Sequence, residues 1–149
     1  MRRLIIALAA LFAVLPVSFA QMTVTAGSAE ISVEVKRAIA QGNEVAIDIF
    51  VTCFTASWGG LDFGYFQKIY DDEGNLYDRN SVQVVGDGGG NFVNLEKDIP
   101  RKFRVVVKEV DEYASQFLLG RLKYMARKPD GGSIKESEIT IKNLPIERP

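Results

Sequence analysis

The sequence predicts an all-β chain folded as an antiparallel sandwich of seven to eight strands. Three observations predict it. Residues 43–54, NEVAIDIFVTCF, place Val45, Ile47, Ile49, Val51 and Cys53 on one side of an extended chain. Glu44, Ala46, Asp48 and Thr52 fall on the other side, with Phe50 the exception. Such period-two alternation in β-branched residues marks a strand that buries one face. Weaker runs of the same kind recur with turn residues between them, and no segment carries a long helical period.

At the N-terminus, Arg2 and Arg3 precede an uncharged apolar run at 4–15, which Pro16 ends. Ser18 and Ala20 supply small residues at the −3 and −1 positions of a signal-peptidase site. The run is too short for a membrane span. Residues 1–20 are therefore expected to be a cleaved secretory signal peptide, and 21–149 a single exported domain, periplasmic or extracellular. No cysteine lies near the cut, so neither a lipid anchor nor membrane insertion is expected after cleavage.

Along the remaining chain, 22–25 is a possible short strand. In 31–40, Ile31, Val33 and Val35 alternate with polar residues, while Ile31, Val35, Ala38 and Ile39 also fit one helical face. The β-branched density favours a strand, and 41–43 turns into the long strand already described. Residues 55–60, TASWGG, form a loop and 64–70, GYFQKIY, a strand. Residues 71–75, DDEGN, are the clearest turn, because Gly74 accepts positive φ and Asn75 tolerates it. Leu76 and Tyr77 begin the returning arm. A short strand at 81–85 leads into the glycine-rich loop at 86–90. No Gly-Lys-Ser/Thr follows those glycines, so they do not make a phosphate cradle.

Pro100 introduces a strand at 101–110, with Phe103, Val105 and Val107 inward and Arg104 and Lys108 outward. Residues 111–115 are polar enough for one helical turn. The strand at 116–126 has Leu118, Leu122 and Tyr124 on one face and Arg121 and Lys123 on the other, while Phe117 and Leu119 make its first half apolar on both. Residues 128–132 turn the chain, and 138–143 closes the domain with Ile139 and Ile141 inward.

Composition narrows the chemistry. The chain has 18 basic and 19 acidic residues, and loss of Arg2 and Arg3 leaves a net charge of −3. That argues against a nucleic-acid partner, which needs a dominant basic surface. Bases nevertheless gather late, at Arg101, Lys102, Arg104, Lys108, Arg121, Lys123, Arg127 and Lys128. The one cysteine, Cys53, allows no intramolecular disulfide and shares its face with valine and isoleucine, so a small core hydrophobe is expected. With no histidine, the commonest base and zinc ligand are both missing. Neither a metal site nor a cofactor is expected. The acids Asp71, Asp72, Glu73 and Asp78 cluster, but a tight turn is expected to keep them in water.

The order of a long strand (NEVAIDIFVTCF), an aromatic strand ending in YDDEGNLYD, a basic strand (PRKFRVVVKEV) and a further strand (QFLLGRLKY) resembles small secreted immunoglobulin-like sandwiches. These are grouped with the immunoprotective extracellular protein family, some bacterial members of which carry a telomere-binding-factor-like label. The Asp-x-x-Gly-Asn-x-Tyr turn through Gly74, Asn75 and Tyr77 is the most recognisable piece, and the resemblance covers most of residues 30–145. It implies an immunoglobulin-like order with Cys53 on strand B, no partner cysteine on strand F, and Trp58 in the B–C loop. It also implies Arg104 and Lys108 on strand E and Arg121 and Lys123 on strand F, in opposite sheets, which divides the basic cluster.

The functional expectation is a secreted or periplasmic, non-catalytic accessory module that acts by protein–protein interaction. Two other binding modes are carried beside it. One is a carbohydrate-binding module whose sugar platforms are Trp58, Tyr65, Tyr70 and Tyr77, residues that join an apolar face to a polar tip. The other is a hydrolase inhibitor acting through the loops at 55–61 or 86–91. The partner is thus a protein or a glycan, its identity and the oligomeric state being open. An enzyme is not expected, since no nucleophile elbow or assembled acid–base pair is visible.

Overall fold

The structure is a computed structural model that describes residues 20–64, 67–87 and 90–149. The expected leader lies outside the described residues, Ala20 excepted. Among the described residues there are eleven strands and no helix. They are β1 (Thr23–Thr25), β2 (Ile31–Gln41), β3 (Glu44–Cys53), β4 (Gly60–Phe63), β5 (Lys68–Asp71) and β6 (Leu76–Tyr77), then β7 (Val82–Val85), β8 (Phe92–Asn94), β9 (Arg101–Val107), β10 (Gln116–Arg127) and β11 (Ser133–Glu147).

The strands follow one path, β6-β5-β10-β11-β2-β3-β9-β7, with β1 on β11, β4 on β10 and β8 on β4. All pairings are antiparallel except the join of β11 to β2, where Ile146 and Glu147 run parallel to Ala38 and Ile39. That short join links two antiparallel groups, so the sheet is nearly closed. The long strand β3 is central to its group, between β2 and β9. Val45, Ile47, Ile49, Val51 and Cys53 are all buried, as their alternation predicts. The Cys53 thiol donates to the carbonyl of Thr55 at 3.3 Å.

The inward faces of the two groups meet in one core. Phe63 on β4 lies 4.9 Å from Phe103 on β9, centroid to centroid, and 6.1 Å from Tyr124 on β10. Tilted and edge-on ring contacts of this kind are favourable beyond their area burial. The Tyr124 hydroxyl donates to the carbonyl of Ala26, fastening the segment after β1 to the core.

Irregular register accounts for most departures from the sequence reading. In β2 the pairing shifts between Val35 and Arg37, so Ile31 and Val35 point inward and then Ala38 and Ala40 do. The extra residue changes the parity, which is why a strand imitated helical spacing. In β10 a shift between Phe117 and Leu119 turns Phe117 inward and leaves Leu118 exposed, the reverse of its expected side. Asn143, at φ 56°, breaks the parity of β11 on the same level, so that Ile139 and Ile141 are followed inward by Leu144 and Ile146.

Two regions also differ in their local structure. Among the described residues the strand expected at 64–70 is β5 alone, and a further strand, β4, precedes it and brings Leu61 and Phe63 into the core. Between them the buried Gln67 side chain stands in for a strand: its Nε2 donates to Lys123 O at 3.1 Å and its Oε1 accepts from Lys123 N at 2.7 Å. Residues 111–115 form a hydrogen-bonded turn, Ala114 N to Asp111 O at 3.1 Å, instead of a helical turn.

Candidate functional site

The turn after β5 is built around a buried acid. Asp71 is 2% exposed, not solvated as its turn position suggested. Its carboxylate accepts from the amides of Glu73 and Asn75, both at 2.9 Å, from Asn75 Nδ2 at 3.0 Å and from the Tyr77 hydroxyl at 2.6 Å. Gly74, at φ 85°, lets the chain fold back over that carboxylate. Tyr77 Oη in turn accepts from Asp111 N at 3.0 Å, and Asn75 Nδ2 donates to Asp111 Oδ2 at 3.1 Å. Asp72 accepts from Ser115 N at 2.9 Å and from the Ser115 hydroxyl. The DDEGN turn therefore ties the β5–β6 hairpin to the segment that leads into β10.

The charge states follow from these bonds. Burial pushes the Asp71 carboxyl up, but donation from Tyr77, Asn75 and Glu73 outweighs it and holds the group below the usual carboxylate range. Asp72 is held low in the same way, with Ser115 and Gln116 offsetting burial. Burial and the bond to Asp71 push the Tyr77 hydroxyl up to about 12. An acceptor saturated with donors, beside a phenol that keeps its proton, is a tether. It has no spare lone pair, and its lowered pKa leaves it no proton to give near neutral pH.

The hairpin that this tether holds carries an exposed apolar row. On the outer face, Leu76 lies opposite Tyr70, Tyr70 opposite Leu119, and Leu119 opposite Lys142. The β10 bulge adds Leu118 beside them. Tyr70, Leu76 and Leu118 are 36%, 47% and 42% exposed. One step along the strands, Lys68 lies opposite Arg121. Lys68, Arg121 and Lys142 are exposed and form no salt bridge among the described residues.

The four aromatics proposed as sugar platforms separate. Tyr70 is on the open face. Tyr77 is buried in the tether and Trp58, though in the loop before β4, is 5% exposed, with Lys135 Nζ 5.7 Å from its ring centroid. Tyr65 lies outside the described residues. Within them no pair of these rings is presented together to solvent, because Trp58 and Tyr77 are committed to packing. The loop at 55–61 ends inside β4, and beside it Ser57, Lys128, Pro129, Asp130 and Ile134 line an open groove of about 370 Å³. Gly88 and Gly89, in the second loop, are outside the described residues.

The basic cluster divides between β9 and β10, which do not pair with each other. Arg104 and Lys102 reach Asp48 at 2.9 and 3.9 Å, Arg101 pairs with Asp87, and Arg127 reaches Asp62 at 2.9 Å. No group of three or more His, Cys, Asp or Glu among the described residues is placed to hold a metal ion. No helix among them is long and apolar enough to cross a membrane.

Sequence reasoning missed Leu76, Leu118 and Lys68 as surface residues. The available signal was the run Phe117-Leu118-Leu119, apolar on both faces of a strand with one face in the core. No protein-family model matches the chain, and no curated protein matches it either.

Proposed function

We propose that the protein is an exported, non-catalytic binding module of immunoglobulin-like sandwich architecture, which engages a protein partner through the outer face of β6, β5 and β10. The observation that carries this reading is the group of Tyr70, Leu76 and, at the β10 bulge beside them, Leu118 in solvent. Large apolar side chains scattered singly are ordinary, whereas three gathered on one rigid sheet face mark a site of contact. The order of pairing supports the architecture: β7-β9-β3-β2 and β6-β5-β10-β11 follow the arrangement of the two sheets in an immunoglobulin-like domain. Export rests on the leader pattern at 1–20. The non-catalytic role is supported by the fate of the densest acids, since Asp71 and Asp72 are bound up in hydrogen bonds and held low.

A photo-crosslinking residue at position 70, in cells producing the full chain, tests the reading. Irradiation is expected to yield a discrete adduct with another protein, while the same probe at Glu44, on the opposite outer face, yields none. Equal labelling from both positions, or turnover of glycoside, peptide or ester substrates that survives repurification, would replace it.

A further inference from the structure

The apolar row does not stand alone, and what surrounds it specifies a partner. Lys142 continues the row across β11, and Lys68 and Arg121 face each other one register step away. Like charges directly opposite on an antiparallel pair are destabilising. Here that pair lies exposed, without a carboxylate within salt-bridge distance of either member among the described residues. Some bases elsewhere do find acids, as Arg104, Arg127 and Arg101 show, but what sets this pair apart is that two cations face each other directly across neighbouring strands.

Resting on the binding-module reading above, we infer that this face docks an acidic protein segment, one with an apolar or aromatic anchor flanked by carboxylates. Tyr70, Leu76 and Leu118 receive the anchor, and Lys68, Arg121 and Lys142 receive the acids. An incoming carboxylate between Lys68 and Arg121 turns a repulsion into two attractions. Apolar centres give affinity and a charged rim gives orientation and rate, which is the division found at protein interfaces generally. A second copy is the wrong occupant. Two such faces brought together on their apolar rows would set three unpaired cations of each near three of the other.

Two synthetic peptides with the same leucine–phenylalanine core, one flanked by glutamates and one by lysines, test this against protein exported from the full-length chain. The glutamate peptide is expected to bind and to shift the amide resonances of Tyr70, Leu76 and Leu118. Its affinity should fall roughly tenfold or more between about 50 and about 500 mM salt. The triple variant Lys68→Glu/Arg121→Glu/Lys142→Glu should lose the glutamate peptide and gain the lysine one. Leu118→Ser, with all charges kept, should weaken binding by roughly tenfold.

Equal binding of both peptides, shifts centred elsewhere, or no binding of the glutamate peptide would overturn the proposal. So would binding to phosphatidylglycerol vesicles in its place, or a concentration-dependent dimer that protects the same amides. The photo-adduct from position 70 separates this failure from that of the broader reading. An adduct that persists in the triple variant keeps the binding module and removes the acidic partner.

Discussion

The two outer faces of the molecule use similar residues in opposite ways. On the face of β2, β3 and β9, the aromatic within the strands, Phe50, has Lys36 Nζ 5.6 Å from its ring centroid, and Lys36 is itself held by Glu34 at 2.7 Å; Phe54, just past β3, is exposed. Asp48, with only 17% of its side chain exposed, gathers Arg104 and Lys102. On the face of β5, β6 and β10, among the described residues, no cation lies over Tyr70, and Lys68 and Arg121 face each other without an acid. Composition alone does not distinguish them, for both carry an aromatic and several bases. What differs is whether the fold already supplies each group with a partner. The first face is largely finished, although Arg37 on β2 is exposed without a salt bridge among the described residues, and the second face is open to another molecule.

The largest effects test whether the open face depends on its tether. Asp71→Ala leaves the Tyr77 hydroxyl and the Asn75 and Glu73 amides without their acceptor, and should cost about 3 kcal/mol. Asp48→Ala on the finished face should cost less, about 1 kcal/mol, because its partners Arg104 and Lys102 are half exposed and it closes no turn. Urea unfolding of the two variants measures the difference. Hydrogen exchange should further show opening confined to residues 68–77 in the first. Equal costs would mean that the two faces are held in the same manner.

The same tether sets a pH window. The folded pKa of Asp71 is lowered from 3.8, so its contribution is present above that value and is lost as pH falls through the folded one. Tyr77 is raised from 10.0 to about 12, so its contribution is present below 10.0 and is lost as pH rises through the folded value. Stability should therefore fall on both sides, below pH 3.8 and above pH 10.0. Tyr77→Phe removes the alkaline loss and, by deleting one donor, reduces the acid one. Thermal melts across pH would show it, and an unchanged alkaline limb in Tyr77→Phe would place the titrating group elsewhere.

How much of this was legible beforehand follows from parity. The all-β class and the core face of β3 were readable because an unbroken strand keeps period two over its whole length. Leu118 was assigned to the wrong side because one bulge inverts every side chain beyond it, and bulges leave no composition mark. Asp71 was placed in water for a related reason. A turn predicts a polar residue, but whether that residue faces out or closes the turn from within depends on the distant Asp111–Ser115 segment. Trp58 and Tyr77 were offered as surface platforms by residue type alone, and residue type does not report burial. Phe50 was the one visible exception to alternation. It is an outward aromatic, and Lys36 is what accommodates it.

A smaller effect separates the two aromatics. Phe50→Ala should cost about 1 kcal/mol, because it removes a cation–π contact and exposes the Lys36 stem. Tyr70→Ala should change stability by less than about 0.5 kcal/mol, since an exposed ring with no internal partner is missed mainly by a ligand. Urea midpoints at unchanged slope would settle the order. A larger cost at Tyr70 would show that it packs within the domain and is not offered to a partner.

The smallest effect differs in sign between the faces, which makes it the sharpest comparison. Arg104→Gln removes a guanidinium 2.9 Å from Asp48. Lys102, 3.9 Å from the same oxygen, remains to offset the carboxylate, so the loss should be only about 0.5 kcal/mol. Arg121→Gln removes one member of a like-charge cross-strand pair with Lys68. It should therefore stabilise the free protein, by roughly 0.3 kcal/mol at low salt. Both changes should shrink as added salt shortens the Debye length, the Arg121 one more fully, because Lys68 and Arg121 are both exposed while Asp48 is partly buried. Urea denaturation at low and high ionic strength measures them on one scale. If Arg121→Gln destabilises, or if its gain is unchanged by salt, then Arg121 is stabilised within the domain. The two faces would then differ in their aromatics alone.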